Sequence, residues 1–204
     1  DLASFLIILE GEILFYIFLS LMFFISSHEW LKMIKRYDLK ILGILFLLFS
    51  FYSAFYFRSQ NLESFLLIIL ICISTDIGGY LFGKLFKGPK LTKISPKKTQ
   101  SGMMGSYILA IVASTIFIQQ YTNEISIDKN IITSDFKFFI IVLLISSVSQ
   151  GGDLIISVFK RQSKIKNTGQ IIPGHGGLLD RIDGMIFVFP FVYLITPILI
   201  ILQL

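Results

Sequence analysis

The feature that most constrains this chain is the alternation of long, almost uniformly apolar runs with short polar connections. A helix needs roughly 20 consecutive apolar residues to cross a bilayer, and runs of about that length recur along the chain. Their borders predict spans near 13–31, 40–57, 62–84, 102–119, 137–160 and 183–203. Of the 204 residues 54% are hydrophobic and 21 are Phe, more than one soluble core of this size can bury. Runs such as Ile41–Phe57 and Ile140–Ser149 are apolar on every face, whereas the strands of a membrane barrel alternate in polarity. The expected class is therefore an all-α polytopic membrane protein, a bundle of about six full spans.

The N-terminal stretch Leu2–Leu9 is too short to span, and the first residue is Asp1, so 1–10 is expected to be the tail of a truncated helix. Residues 1–61 are expected to form N-terminal membrane helices, and 62–204 a catalytic membrane domain with loops at 84–101 and 160–182. Cys72 lies alone inside an apolar run and is expected to pack.

Charge placement predicts orientation. Residues 84–98 hold six lysines and no acid, 160–182 hold five basic residues against Asp180, and 120–137 hold two lysines against three acids. The first two segments are thus expected on the cytoplasmic side and the third outside. Two spans separate the basic loops and return them to one face, and 31–40, with Lys32, Lys35, Arg36 and Lys40, falls on that face as well. The net charge of +5 then reflects topology and binding of anionic head groups or phosphates, with no call for nucleic acid.

Ionisable side chains inside spans are expensive and usually functional. Asp76 and Asp153 lie deepest, each toward the cytoplasmic end of its span, whereas Glu29 with His28, near a helix border, is expected to be interfacial. Ser149, Asp153, Ser157 and Lys160 recur at helical spacing and form one polar stripe; its serines suit a helix–helix hydrogen-bonding seam as readily as a site. Downstream, Pro173-Gly174-His175-Gly176-Gly177 precedes Asp180-Arg181-Ile182-Asp183. Glycines let backbone approach a ligand closely. A helix beginning near Asp180 would place Asp180 and Asp183 on one face, a pair suited to Mg²⁺ bridging nucleotide phosphates, although Asp at that position also caps helices. The lysine-rich loop contains Ser95-Pro96-Lys97-Lys98-Thr99, whose ammonium and hydroxyl groups could hold a triphosphate, although no Walker loop is present.

Taken together, Ser157-x-x-Lys160-Arg161, Lys166, and His175-Gly176-Gly177-x-x-Asp180-Arg181-x-Asp183 resemble the signature of the phosphatidate cytidylyltransferase family, with its internal spacing intact from Ser157 to Asp183. Asp76–Tyr80 and Gly83 resemble the family helix that precedes an S-P-K-K-T loop, and Ser95–Thr99 reproduces that loop. The resemblance implies transfer of the cytidylyl group of CTP to phosphatidic acid, giving CDP-diacylglycerol and pyrophosphate at a bacterial cytoplasmic membrane. It implies Mg²⁺ held by Asp153, Asp180 and Asp183, and leaves a second cation open. Lys160, Arg161 and Lys166 would meet phosphates with Lys97 and Lys98; His175 would hydrogen-bond phosphate or the leaving group. Asp76, Tyr80, Ser95, Thr99, Ser157, Gly176, Gly177 and Arg181 complete the implied substrate site, and homodimerisation is implied as well. Asn167 stands where the family has Asp, and Gln100-Ser101 where Trp-Glu is common. Asn brings no charge, so a metal-ligand role is not carried onto position 167. The alternatives are a CTP-dependent polyprenol or phytol kinase, an ion-coupled transporter, and a weakened homologue serving as a partner subunit.

Overall fold

The computed structural model describes residues 12–92, 95, 98–125, 136–170 and 176–201. Each expected span in this range is a helix: α1 Glu12–Met33, α2 Tyr37–Gln60, α3 Leu62–Phe86, α4 Gln100–Ile125, α5 Phe136–Gln162, the single turn α6 Leu179–Ile182, and α7 Met185–Ile201. Five of them are long and apolar enough to cross a membrane, and α7 supplies a shorter apolar helix interrupted by Pro190 and Pro197. With no strand among the described residues, the chain is an all-α polytopic membrane protein, and a lipid-facing exterior explains the many exposed Leu, Ile and Phe side chains. The partial helix expected at 1–10 lies outside the described residues.

The most intimate helix pair is α3 with α4. A β-carbon at Gly78 would sit 2.5 Å from the Gly105 carbonyl oxygen, and one at Gly102 would sit 2.6 Å from that of Gly79. Small residues on both helices thus bring the backbones together, the packing that lipid, lacking a hydrophobic drive of its own, favours between helices. Polar side chains add a seam: Ser106 Oγ donates to the Thr75 carbonyl at 2.7 Å, and Thr75 Oγ1 donates to Ser146 Oγ of α5 at 2.9 Å.

Two apolar clusters fill the bundle. One gathers Phe15, Phe57, Phe65, Ile68, Ile71, Cys72 and Val188, so Cys72 packs as expected. The other gathers Trp30, Met33, Leu47, Ile156, Leu179 and Ile186. The second lies directly beneath the polar end. The Trp30 ring stands edge-on to Phe159 with centroids 5.1 Å apart, and its indole N–H donates to the Leu39 carbonyl at 3.2 Å. Leu179, fully buried in this cluster, anchors α6. The connections α1–α2, α3–α4 and α5–α6 meet at this end, joined by the contacts described below. The α2–α3 turn lies at the opposite end, where Asn61 Oδ1 caps α3 by accepting from the Glu63 and Ser64 amides at 2.8 and 3.2 Å.

Candidate active site

The polar end holds two adjoining groups of side chains. The first lines a cavity of about 310 Å³ between α3, α4 and α5, with Asp76 and Tyr80 from α3, Ser95, Lys98 and Thr99 from the α3–α4 loop, and Asp153 from α5. The loop is shaped locally. Lys87 and Gly88 turn the chain out of α3 at positive φ. Thr99 then pairs with Lys90 in an isolated antiparallel bridge, and the Leu91 amide donates to the Lys98 carbonyl at 2.8 Å. Thr99 Oγ1 accepts from the Gly102 amide at 3.1 Å, capping the start of α4. This geometry carries the Lys98 ammonium to Asp153 Oδ2, 2.6 Å away, with both side chains about a quarter exposed (26% and 28%). Ser101, one of the departures from the family pattern, donates to the Lys87 carbonyl at 2.6 Å and so ties the loop ends together.

The second group is more buried. Lys160, at the end of the α5 stripe, places its ammonium 2.8 Å from Asp180 Oδ1 and 3.8 Å from Asp183 Oδ2. As the spacing predicted, Asp180 and Asp183 share a face across one turn. Asp180 Oδ2 accepts from the Thr168 amide at 2.8 Å and the Gly177 amide at 3.0 Å. Burial pushes the Asp180 carboxyl up, but the Lys160 hydrogen bond and these two amides outweigh it and hold the group below the usual carboxylate range. Asp183 faces Asp153 closely enough for the two charges to repel, and this contact joins the two groups.

Among the described residues no three His, Cys, Asp or Glu side chains are gathered closely enough to enclose an ion. The facing carboxylates of Asp153 and Asp183, their charge here offset by Lys98 and Lys160, nonetheless fit an ion that takes one or two carboxylates and fills its shell with water and phosphate oxygens, as Mg²⁺ does. Asp180 has both oxygens engaged by Lys160 and loop amides.

Of the residues singled out in the sequence, Asp76, Tyr80, Ser95, Lys98, Thr99 and Asp153 share the cavity. Ser157 donates to Asp153 Oδ1 at 3.3 Å, and Lys160, Asp180 and Asp183 form the adjoining cluster. Gly176 and Gly177 are buried behind Asp180. Arg161, Lys166 and Arg181 are exposed and do not line the cavity, and Arg161 donates to the Ile165 carbonyl at 3.3 Å. Lys97 and His175 lie outside the described residues.

Glu29 corrects an expectation. Read as interfacial, it is 2% exposed and accepts from Thr168 Oγ1 at 2.9 Å and from the Leu178 and Leu179 amides at 2.9 and 2.8 Å. Thr168, Leu178 and Leu179 cover this carboxylate at the end of α1 and exclude water from it. The signal available in the sequence was the same that marked Asp76: a carboxylate within an apolar helix.

The Cytidylyltransferase family matches residues 39–199. The chain is 33% identical over 188 residues to a Rickettsia typhi protein named phosphatidate cytidylyltransferase, covering 90% of this chain and 81% of that protein. Proteins of the same name from Bacillus subtilis and Staphylococcus saprophyticus are 38% and 39% identical, over 68% and 65% of this chain and 51% and 48% of theirs. The chain therefore spans about half the length of these last two. With the match covering most of the bundle and both halves of the polar cavity, this integral membrane protein belongs to the Cytidylyltransferase family.

Proposed function

We propose that the protein is a CTP:phosphatidate cytidylyltransferase. A phosphate oxygen of phosphatidate attacks the α-phosphorus of CTP and forms a new P–O bond. The bond from that phosphorus to the oxygen bridging to the β-phosphorus breaks, pyrophosphate departs, and CDP-diacylglycerol stays in the bilayer. One observation carries this reading: a cavity lined by carboxylates, lysine and hydroxyls sits at the helix ends of an apolar bundle, in a chain resembling proteins named for this reaction.

The nucleophile is already an anion at neutral pH, so the obstacle is to bring two anions together and hold them in line. Lys98 and Lys160, held against carboxylates in this structure, supply positive charge on either side of Asp153 and Asp183. Ser95 and Thr99, with Lys97 from the same loop, supply further donors to the triphosphate. Mg²⁺ bound through Asp153 and Asp183, with Asp180 beside them, would neutralise the phosphates and the charge that develops at the phosphorus. Arg161, Lys166 and Arg181, which are exposed, are proposed to meet the lipid phosphate, and His175 is proposed to hydrogen-bond the leaving group. The excess of lysine at this end supports a cytoplasmic orientation, where CTP is supplied, in the cytoplasmic membrane of a bacterium. Homodimerisation is proposed on the family resemblance, and light scattering on the purified protein reads it.

The test is product formation from CTP and phosphatidate vesicles by purified protein with Mg²⁺. CDP-diacylglycerol and pyrophosphate are expected from the parent, with product lost in Asp183→Asn and on chelation of the metal. A folded parent that makes no CDP-diacylglycerol but, given a polyprenol in the same vesicles, releases CDP and phosphorylates that alcohol would instead indicate phosphoryl transfer.

A further inference from the structure

Glu29 belongs to α1, upstream of residue 39 where the family match begins. Its two oxygens divide three donors: Oε1 accepts from the Leu178 amide, and Oε2 accepts from the Leu179 amide and the Thr168 hydroxyl. Asp180 interlocks with this arrangement, because its Oδ2 takes the Thr168 and Gly177 amides. Three consecutive amides, 177 to 179, are thus shared between two carboxylates, and Thr168 gives its hydroxyl to one and its amide to the other. With Oδ2 so committed, Asp180 turns Oδ1 to Lys160, whose ammonium also approaches Asp183. The enclosure is tight: a β-carbon at Gly169 would lie 2.5 Å from Glu29 Oε1, and one at Gly177 would lie 2.5 Å from Oε2.

We infer that Glu29 is a positioning residue for the reaction, fixing the 177–180 turn and through it the aim of Lys160 and Asp183. It acts from a helix that the family match leaves out. Its effect on turnover rests on the function proposed above, and its hold on the turn rests on the geometry alone. A carboxylate is needed because both oxygens accept. Whichever way its amide sits, glutamine would present an NH₂ group to the Leu178 or the Leu179 N–H, leaving a buried donor unpaired.

The experiment compares the parent with Glu29→Gln and Glu29→Asp, full-length and purified, in steady-state kinetics with CTP and phosphatidate vesicles and in hydrogen exchange at the Leu178 and Leu179 amides. Glu29→Gln is expected to lower kcat per folded molecule by about 10-fold or more, with KM for CTP changed by less than about 3-fold, because displaced groups lose transition-state contacts. Glu29→Asp keeps both acceptors and should recover part of the loss. Exchange at the two amides should accelerate in Glu29→Gln while that in α3 and α4 does not. A kcat per folded molecule within about 2-fold of the parent, or a loss confined to KM, would overturn the positioning role. Unchanged exchange would overturn the hold on the turn, even in a parent that makes no CDP-lipid, an outcome that would separately end the proposed function. If Glu29→Gln does not fold, Thr168→Val removes one donor to the same carboxylate. A roughly 3-fold drop in kcat then supports the inference, and an unchanged kcat overturns it.

Discussion

The two polar segments that meet at this end of the bundle are held by opposite means. The 176–183 segment is fixed from inside: two largely buried carboxylates, Glu29 and Asp180, take up its amides, and Lys160, its side chain only 10% exposed, pairs with Asp180 and approaches Asp183. The described residues of the 87–99 segment are held largely by their own backbone; Ser95 and Thr99 line the cavity, and Lys98 reaches Asp153 in a partly exposed ion pair. Largely enclosed charges are costly to rearrange, and partly exposed ones cost less. The carboxylate side of the site is therefore set before substrate arrives, as electrostatic preorganisation requires. The lysine loop can exchange a carboxylate for a phosphate at little cost.

Substitutions that break this contrast should be unequal in size. The largest effect is expected from Lys160→Met, which strands Asp180 and Asp183 without their cation: about 3–5 kcal/mol of stability should be lost, and turnover should fall by roughly 100-fold. Thermal unfolding in detergent and CDP-lipid synthesis read the two losses. Gly177→Ala comes next, since its β-carbon would lie 2.2 Å from Thr168 Oγ1 and 2.6 Å from the Gly169 nitrogen. Overpacking of this kind costs about 1–3 kcal/mol, visible as a lower Tm together with reduced kcat. Lys98→Ala sharpens the contrast: stability should change by less than about 1 kcal/mol, while KM for CTP rises, with a Tm equal to the parent's as the control. The smallest effect on the site is expected at the far end, where Asn61→Ala removes the α3 cap at a cost of about 1 kcal/mol and leaves kcat per folded molecule unchanged.

Most of the fold was legible because lipid imposes one rule on every span. The observed helices α1 to α5 contain the expected apolar runs and overshoot them by a few residues, since Lys32, Tyr37 and Gln162 continue the helix with their side chains exposed. The Lys160–Asp180–Asp183 cluster was legible in part: helical spacing predicted the shared face of the two aspartates. That Asp180 would spend an oxygen on the Thr168 and Gly177 amides was not, because those donors come to it through loop backbone that has no periodicity. Glu29 was misjudged for a related reason. Depth in a span was measured against the bilayer, whereas the end of α1 is covered by residues 168 and 177–179, more than a hundred positions away along the chain.

The central claim is that this site transfers the cytidylyl group and not a terminal phosphoryl group, and the label it transfers tests that most directly. Purified protein supplied with Mg²⁺ and vesicles holding both phosphatidate and a polyprenol would be given CTP labelled at either the α- or the γ-phosphorus, and the lipid extracted. Label from the α position in the lipid, with γ label released as pyrophosphate, is the predicted result. Label from the γ position in the lipid, with CDP left in solution, would contradict it.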